Sequence, residues 1–218
     1  MNKLSSEIPT ATVKTLRKMN TLILKAKENK QVIKFTKLGD ISDLRVKLFT
    51  DASYRNQDDQ IKSTEGRIVL IENPFTGKVN VASWKTRKIP RVCRSVKSAE
   101  TRILEDGIDD AVHTARIVRE IYSGSINLKN PAQLPVYTFT DSKSLWENVH
   151  NTKQCEEKLL RNTIASIKEM IELRMIESVD WVSTDEQLAD CMTKSGLRKK
   201  SDWLLKVAST NRVQFKSA

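Results

Sequence analysis

Leu44-Arg45-Val46-Lys47-Leu48-Phe49-Thr50-Asp51 alternates apolar and polar residues and closes on an acid. Successive side chains of a strand point to opposite faces, so a period of two predicts a half-buried β-strand here. Val136-Tyr137-Thr138-Phe139-Thr140-Asp141 repeats the pattern, and in both runs the Asp follows a Phe-Thr pair. Two more acids, Glu100 and Asp190, fall within helical patterns. Two strand-end carboxylates and two helix carboxylates meet at one point only if the fold brings them together. Crowded there, four bare anions would repel until one is protonated or divalent cations are captured. All-oxygen sets of this kind suit hard ions such as Mg²⁺. Each acid alone also has an ordinary reading, because 27 residues are Asp or Glu and a strand-end Asp is a good helix N-cap.

Around these runs the order of elements can be read. Residues 9–29 read as a helix, with Val13, Leu16, Leu22, Ile23 and Ala26 at apolar spacing and lysines opposite. Strands are expected at 66–72 and 78–85, joined by Asn73-Pro74-Phe75-Thr76-Gly77, a run of turn formers that makes an antiparallel hairpin. Residues 95–122 read as a long helix with a stripe from Ala99 through Ile103, Ile108, Val112, Ala115 and Val118 to Ile121. Gly107 marks a bend in it and Gly124 its stop. After the strand at 136–140 come a short helix at 142–150 and a helix at 155–174 with Leu159, Ile164, Ile167, Met170 and Ile171 inward. A strand at 176–182, a helix at 185–194 and an amphipathic piece at 202–208 complete the series. Trp84 and Trp181 read as core residues.

Three strands, helix, strand, helices, strand, helix predicts an α/β fold. Its five-stranded mixed sheet runs antiparallel and then parallel, with helices on both faces. Residues 1–43 are read as a basic helix and tether, 44–209 as the main domain and 210–218 as a tail.

Thirty-eight Lys and Arg give a formal net charge of +11, a balance that favours a polyanionic partner. Cys93, Cys155 and Cys191 are odd in number and widely spaced, so they indicate neither a zinc site nor a disulfide framework; an intracellular, reducing compartment is expected. No apolar run reaches membrane-spanning length and no secretory signal opens the sequence, so no membrane partner is expected.

Five blocks, in order, carry a family resemblance. They are Phe49-Thr50-Asp51-Ala52-Ser53-Tyr54, Ser83-Trp84-Lys85-Thr86-Arg87-Lys88, the stretch 95–100, Thr140-Asp141-Ser142-Lys143-Ser144-Leu145, and Trp181-Val182-Ser183-Thr184-Asp185-Glu186-Gln187-Leu188-Ala189-Asp190-Cys191-Met192-Thr193-Lys194. Over residues 44–195 the sequence resembles the ribonuclease H domain of copia-type retrotransposon Pol polyproteins, and residues 8–43 look like the tether such elements place after their polymerase. The resemblance implies a ribonuclease H-like fold in which the first and fourth strands are central neighbours, setting Asp51 beside Asp141, with Asp51, Glu100, Asp141 and Asp190 as catalytic metal ligands. It implies two Mg²⁺ ions, with Mn²⁺ as a substitute, and cleavage of the RNA strand of RNA–DNA hybrids, recognised by shape and 2′-hydroxyls. Ser53, Asn56, Lys85, Arg87, Lys88, Arg91, Arg94, Ser142 and Lys143 are then expected to grip the nucleic acid. A polymerase domain or other protein is an expected neighbour of the N-terminal helix.

One departure stands out. Many ribonucleases H carry a histidine in a loop shortly before the fourth acid, and residues 183–189 contain none. His113 falls mid-helix, His150 is distant, and Glu186 is the residue placed to assist instead. An integrase or transposase on the same fold is disfavoured by Glu100 and by Asp, not Glu, at 190. An inactive or domesticated module that binds nucleic acid or a partner stays open as the alternative.

Overall fold

The computed structural model describes residues 8–28, 32–54, 63–124, 134–151, 155–194 and 198–213. The chain divides into two units, Met1–Ile33 and Lys34–Ala218. In the first, a 3-10 turn at Ile8–Thr10 precedes helix α1 (Val13–Glu28). Thr12 caps it by accepting the Thr15 N–H at 3.3 Å, and Val13, Leu16, Ile23 and Leu24 are exposed.

The second unit begins at Lys34, earlier than the boundary at 44 read from the sequence. The reason is side-chain amides that tie the preceding segment to the sheet. Thr36 exchanges both backbone hydrogen bonds with the Asn80 amide at 2.9 Å, and Asn73 Nδ2 donates to the Leu38 carbonyl at 2.7 Å. Asn211, at the start of the expected tail, donates to the Val79 and Lys34 carbonyls.

Five strands form one sheet: β1 (Arg45–Ser53), β2 (Thr64–Asn73), β3 (Lys78–Lys88), β4 (Val136–Thr140) and β5 (Ser178–Trp181), in the order β3-β2-β1-β4-β5. β1–β2 and β2–β3 pair antiparallel, whereas β1–β4 and β4–β5 pair parallel. This is the mixed sheet expected from the sequence, with β1 and β4 as central neighbours. The β2–β3 hairpin is held by Asn73, whose Oδ1 accepts the N–H groups of Phe75 and Thr76 at 3.0 Å, with Gly77 at φ 64°.

Helices α2 (Val96–Ser123), α3 (Lys143–His150) and α4 (Arg161–Glu172) pack through a core that includes Val46, Leu48, Leu104, Ile108, Leu145 and Ile167. On the other side, Phe49, Ile68 and Leu70 meet Leu188, Ala189 and Val207 around the one-turn α5 (Asp190–Thr193) and α6 (Arg198–Thr210). Because helices cover both faces, β1 is not half-buried but buried on both. Its polar member Lys47, 7% exposed, is paired with Glu72 at 2.9 Å.

α2 begins at a reciprocal capping box between Ser95 and Ser98 and ends at left-handed Gly124, φ 66°. It runs uninterrupted through Gly107. A Cβ at that position would meet Thr50 Cγ2 at 2.9 Å and Leu48 Cδ2 at 3.1 Å, so the glycine serves close seating of the helix on β1 rather than a bend.

Several expectations need correcting. Ile121 and Leu159 are 74% and 70% exposed, because α2 outruns the sheet near its end and α4 starts only at Arg161. The helix expected at 185–194 is a 3-10 turn (Thr184–Glu186) followed by α5. Leu188 is drawn into the second core, and buried Gln187 donates to the Thr50 carbonyl at 3.0 Å. Trp84 and Trp181 are about half exposed instead of buried. Among the described residues no helix is long and apolar enough to cross a membrane.

Candidate metal centre

The parallel pairing of β1 and β4 puts both carboxyl ends at one edge, so Asp51 and Asp141 emerge side by side. The turn after β5 brings Asp190 to the same point. One carboxylate oxygen from each of the three lies within 4.8 Å of the others. Asp51 and Asp190 are buried, at 1% exposure each, while Asp141 is partly open.

Glu100 stands beside this trio. Its Oε1 accepts the Ala52 N–H at 3.2 Å, and its Oε2 is buried without a hydrogen-bond partner. An orphaned buried carboxylate oxygen is unfavourable unless a cation or proton satisfies it. The four acids singled out in the sequence are therefore gathered at one place, three of them in mutual reach of a cation and the fourth against them.

The electrostatics match the geometry. Burial pushes the Asp51 carboxyl up to about 6, with Asp190 and Asp141 adding to the rise and Thr193 and Lys194 opposing it. Burial, then the charges of Asp51 and Asp141, hold Glu100 well above the ordinary glutamate range. Asp141 is raised as well, chiefly by burial, against the pull of Lys194. Raised carboxyls in a tight group mark a site that gains from added positive charge. The donors are all hard oxygens, the set a Mg²⁺-type ion takes.

Neighbouring residues hold the acids in place. Thr193 Oγ1 donates to Asp51 Oδ2, and Lys194 Nζ lies 2.5 Å from Asp190 Oδ1 and 3.4 Å from Asp51 Oδ1. Lys200 Nζ bonds Asp190 Oδ2. Thr184 Oγ1 donates to Asp141 Oδ2 at 3.3 Å, and Trp181 Nε1 donates to the Asp141 carbonyl at 3.1 Å. Sequence reading did not assign these supporting roles. Thr193 and Lys194 carried a signal, since residues three and four beyond Asp190 share its face of a helix. Lys200 carried none, as its approach depends on how α6 returns to the sheet.

The expected nucleic-acid residues divide. Arg91 and Arg94 are exposed and border a surface cavity of about 390 Å³, also lined by Ser98, Arg102, Glu157 and Lys158. The Tyr54 hydroxyl donates to the Arg94 carbonyl at 3.1 Å, which ties that loop to the end of β1. Lys143 is exposed; Lys85, Lys88, Ser53 and Ser142 are partly exposed. Ser142 stands at the N-cap of α3 without a side-chain capping bond. Arg87 is partly exposed as well, and it is also ion-paired within the fold. Its guanidinium is taken up by Glu65 at 2.5 Å and Asp106 at 3.2 Å, joining the β2–β3 hairpin to α2. Asn56 lies outside the described residues. Glu186 accepts the Ser183 hydroxyl at 3.4 Å.

Comparison with family models finds no match, and neither does comparison with curated protein sequences. Solved structures give distant likenesses. The N-terminal RNase H domain of Rv2228c from Mycobacterium tuberculosis, fused to maltose-binding protein, is 15% identical, covers 73% of this chain and 97% of its own, with a TM-score of 0.46. LC11-RNase H1, solved in complex with an RNA/DNA hybrid, is 13% identical over 71% of this chain and 98% of its own, at 0.48. RNase H1 from the halophilic archaeon Halobacterium salinarum is 14% identical over 71% and 98%, at 0.47.

Proposed function

We propose that this chain is a divalent-metal-dependent nuclease, and that its substrate is the RNA strand of an RNA–DNA hybrid. The observation that carries the first part is the convergence of Asp51, Asp141 and Asp190 within 4.8 Å, with the partnerless Glu100 oxygen against them. A pair of Mg²⁺ ions held there would supply the positive charge that activates a water and neutralises the leaving oxygen of a phosphodiester.

The chain's own residues do the rest. Asp51, Glu100, Asp141 and Asp190 hold the charge at the end of a rigid sheet. Burial of Asp51 and Glu100 keeps bulk water from screening it. Arg91 and Arg94 offer guanidinium groups to a sugar–phosphate backbone, and Lys85, Lys88 and Lys143 add to the positive field of a chain whose formal charge is +11. Preference for a hybrid follows from the five sequence blocks, as does a place in a retroelement polyprotein next to a polymerase.

The test is cleavage of a labelled RNA–DNA hybrid in Mg²⁺ by the parent and by Asp141→Asn, with duplex DNA and single-stranded RNA as competitors. The parent is expected to cut only the RNA strand of the hybrid. Asp141→Asn is expected to lose on the order of 10³-fold in rate, as removal of a ligand to catalytic metal forfeits several kcal/mol of transition-state stabilisation. Equal rates in parent and variant would remove the site. Hybrid binding without cleavage by the parent would favour the binding-module alternative.

A further inference from the structure

The cations that the chain itself supplies to its acidic site carry a consequence of their own, which rests on the metal reading above. Both carboxylate oxygens of Asp190 are engaged by ammonium groups, Oδ1 by Lys194 at 2.5 Å and Oδ2 by Lys200. Lys194 reaches on to Asp51 Oδ1 at 3.4 Å, and Thr193 takes Asp51 Oδ2. Lys194 is 38% exposed, but its carboxylate partners are buried, and the Lys200 pair is not one of the solvent-washed surface pairs that contribute little. The Asp190 side chain is 1% exposed and that of Lys200 15%, and Lys200 also donates to the Thr184 carbonyl.

A divalent ion approaching Asp190 therefore has to displace an ammonium group from it. Glu100 Oε2 presents the opposite situation, being buried with no hydrogen-bond partner to displace. The two sides of one acidic cluster thus differ in how open they are to metal. A nucleic-acid phosphate changes the balance, because it offers each lysine another anion to pair with.

We propose that Lys194 and Lys200 are internal counter-cations that keep the Asp190 side closed to a divalent ion until a polyanionic substrate draws them away. The protein alone then takes an ion firmly where no ammonium group has to move, and a second ion only weakly. The two lysines position charge and set metal affinity; they need not touch the reacting atoms.

The experiment is titration of Mn²⁺ into the full chain without nucleic acid, with free Mn²⁺ read by electron paramagnetic resonance. The parent is expected to bind its second ion about tenfold or more weakly than its first. Lys194→Met and Lys200→Met are each expected to tighten the second ion about tenfold, whereas Lys194→Arg keeps the charge and the parent's gap. Lys194→Gln and Lys200→Gln serve if the Met variants melt early. Two equally tight ions in the parent, or parent-like affinities in every charge-removing variant, overturn the proposal while leaving the metal site intact. No ion bound by the folded parent or by any folded variant removes the metal site and the proposal together.

Discussion

Replacing Asp51 by asparagine is expected to raise the melting temperature of the metal-free protein and to abolish Mg²⁺-dependent cleavage in one step. Asp51 is 1% exposed, and burial together with Asp190 and Asp141 lifts its carboxyl to about 6. Its charged form is thus less stable in the fold than in the unfolded chain. For an acid raised in this way, the stabilising contribution is complete below the unfolded value near 4 and is lost as the pH climbs through about 6. The metal-free parent should accordingly melt higher at about pH 5 than at about pH 8, and saturating Mg²⁺ should close most of that gap. Asparagine keeps an oxygen to accept the Thr193 hydroxyl while removing the charge. The expected gain at neutral pH is on the order of 1–3 kcal/mol, less whatever the contact with Lys194 contributes. For a chain of this size that is about 2–10 °C. Thermal melts with and without Mg²⁺, beside a cleavage assay, check both halves. A variant that melts lower without metal, or that still cuts, contradicts the role given to Asp51.

The second large effect is expected from Gly66→Ala on β2, which touches no carboxylate. A Cβ there would lie 2.7 Å from both Met192 Cβ and Thr193 Cγ2 and 3.1 Å from the Ala189 carbonyl oxygen. Separations that short cannot be held, and the atoms concerned belong to the backbone or the stem of α5 rather than to flexible side-chain ends. α5 carries Asp190 at its start and Thr193 at its end, so moving it away from the sheet moves one ligand and the donor to another. Overpacking of this kind costs about 1–3 kcal/mol. A displacement near 1 Å at a catalytic group is enough to lower a rate about 10²-fold. Circular dichroism should report a folded chain with lower melting temperature, and the hybrid assay a loss well beyond what the melt explains. A fully active Gly66→Ala would mean that α5 need not sit against β2.

Much of this site was legible in the chain because its ligands sit where local pattern ends. Asp51 and Asp141 each close an alternating run, and the fold implied by the five sequence blocks made those runs neighbours. Glu100 could be singled out because it lies in the first turns of the long helical pattern and closes one of the five sequence blocks. The 183–194 segment was harder. Its polar and apolar spacing fits a helix, yet Gln187 and Leu188 are bound to opposite demands, one to a β1 carbonyl and the other to the second core, and the chain turns twice instead. The exposure of Trp181 escaped notice for a related reason, since its indole N–H is satisfied by the Asp141 carbonyl across strands that pair only in three dimensions. The ion pairs of Arg87 were not legible because its partners, Glu65 and Asp106, lie 22 residues before it and 19 after it. Nor could spacing disclose Lys200 on Asp190, because it arrives from α6, beyond a segment whose path the sequence pattern does not specify.

A crystal structure of the full chain grown in Mn²⁺, with anomalous scattering used to locate the ion, tests the central claim most directly. The expected result is a manganese peak among the carboxylates of Asp51, Asp141 and Asp190, with Glu100 beside it. Four carboxylates in this arrangement with no manganese among them at millimolar concentration would contradict it.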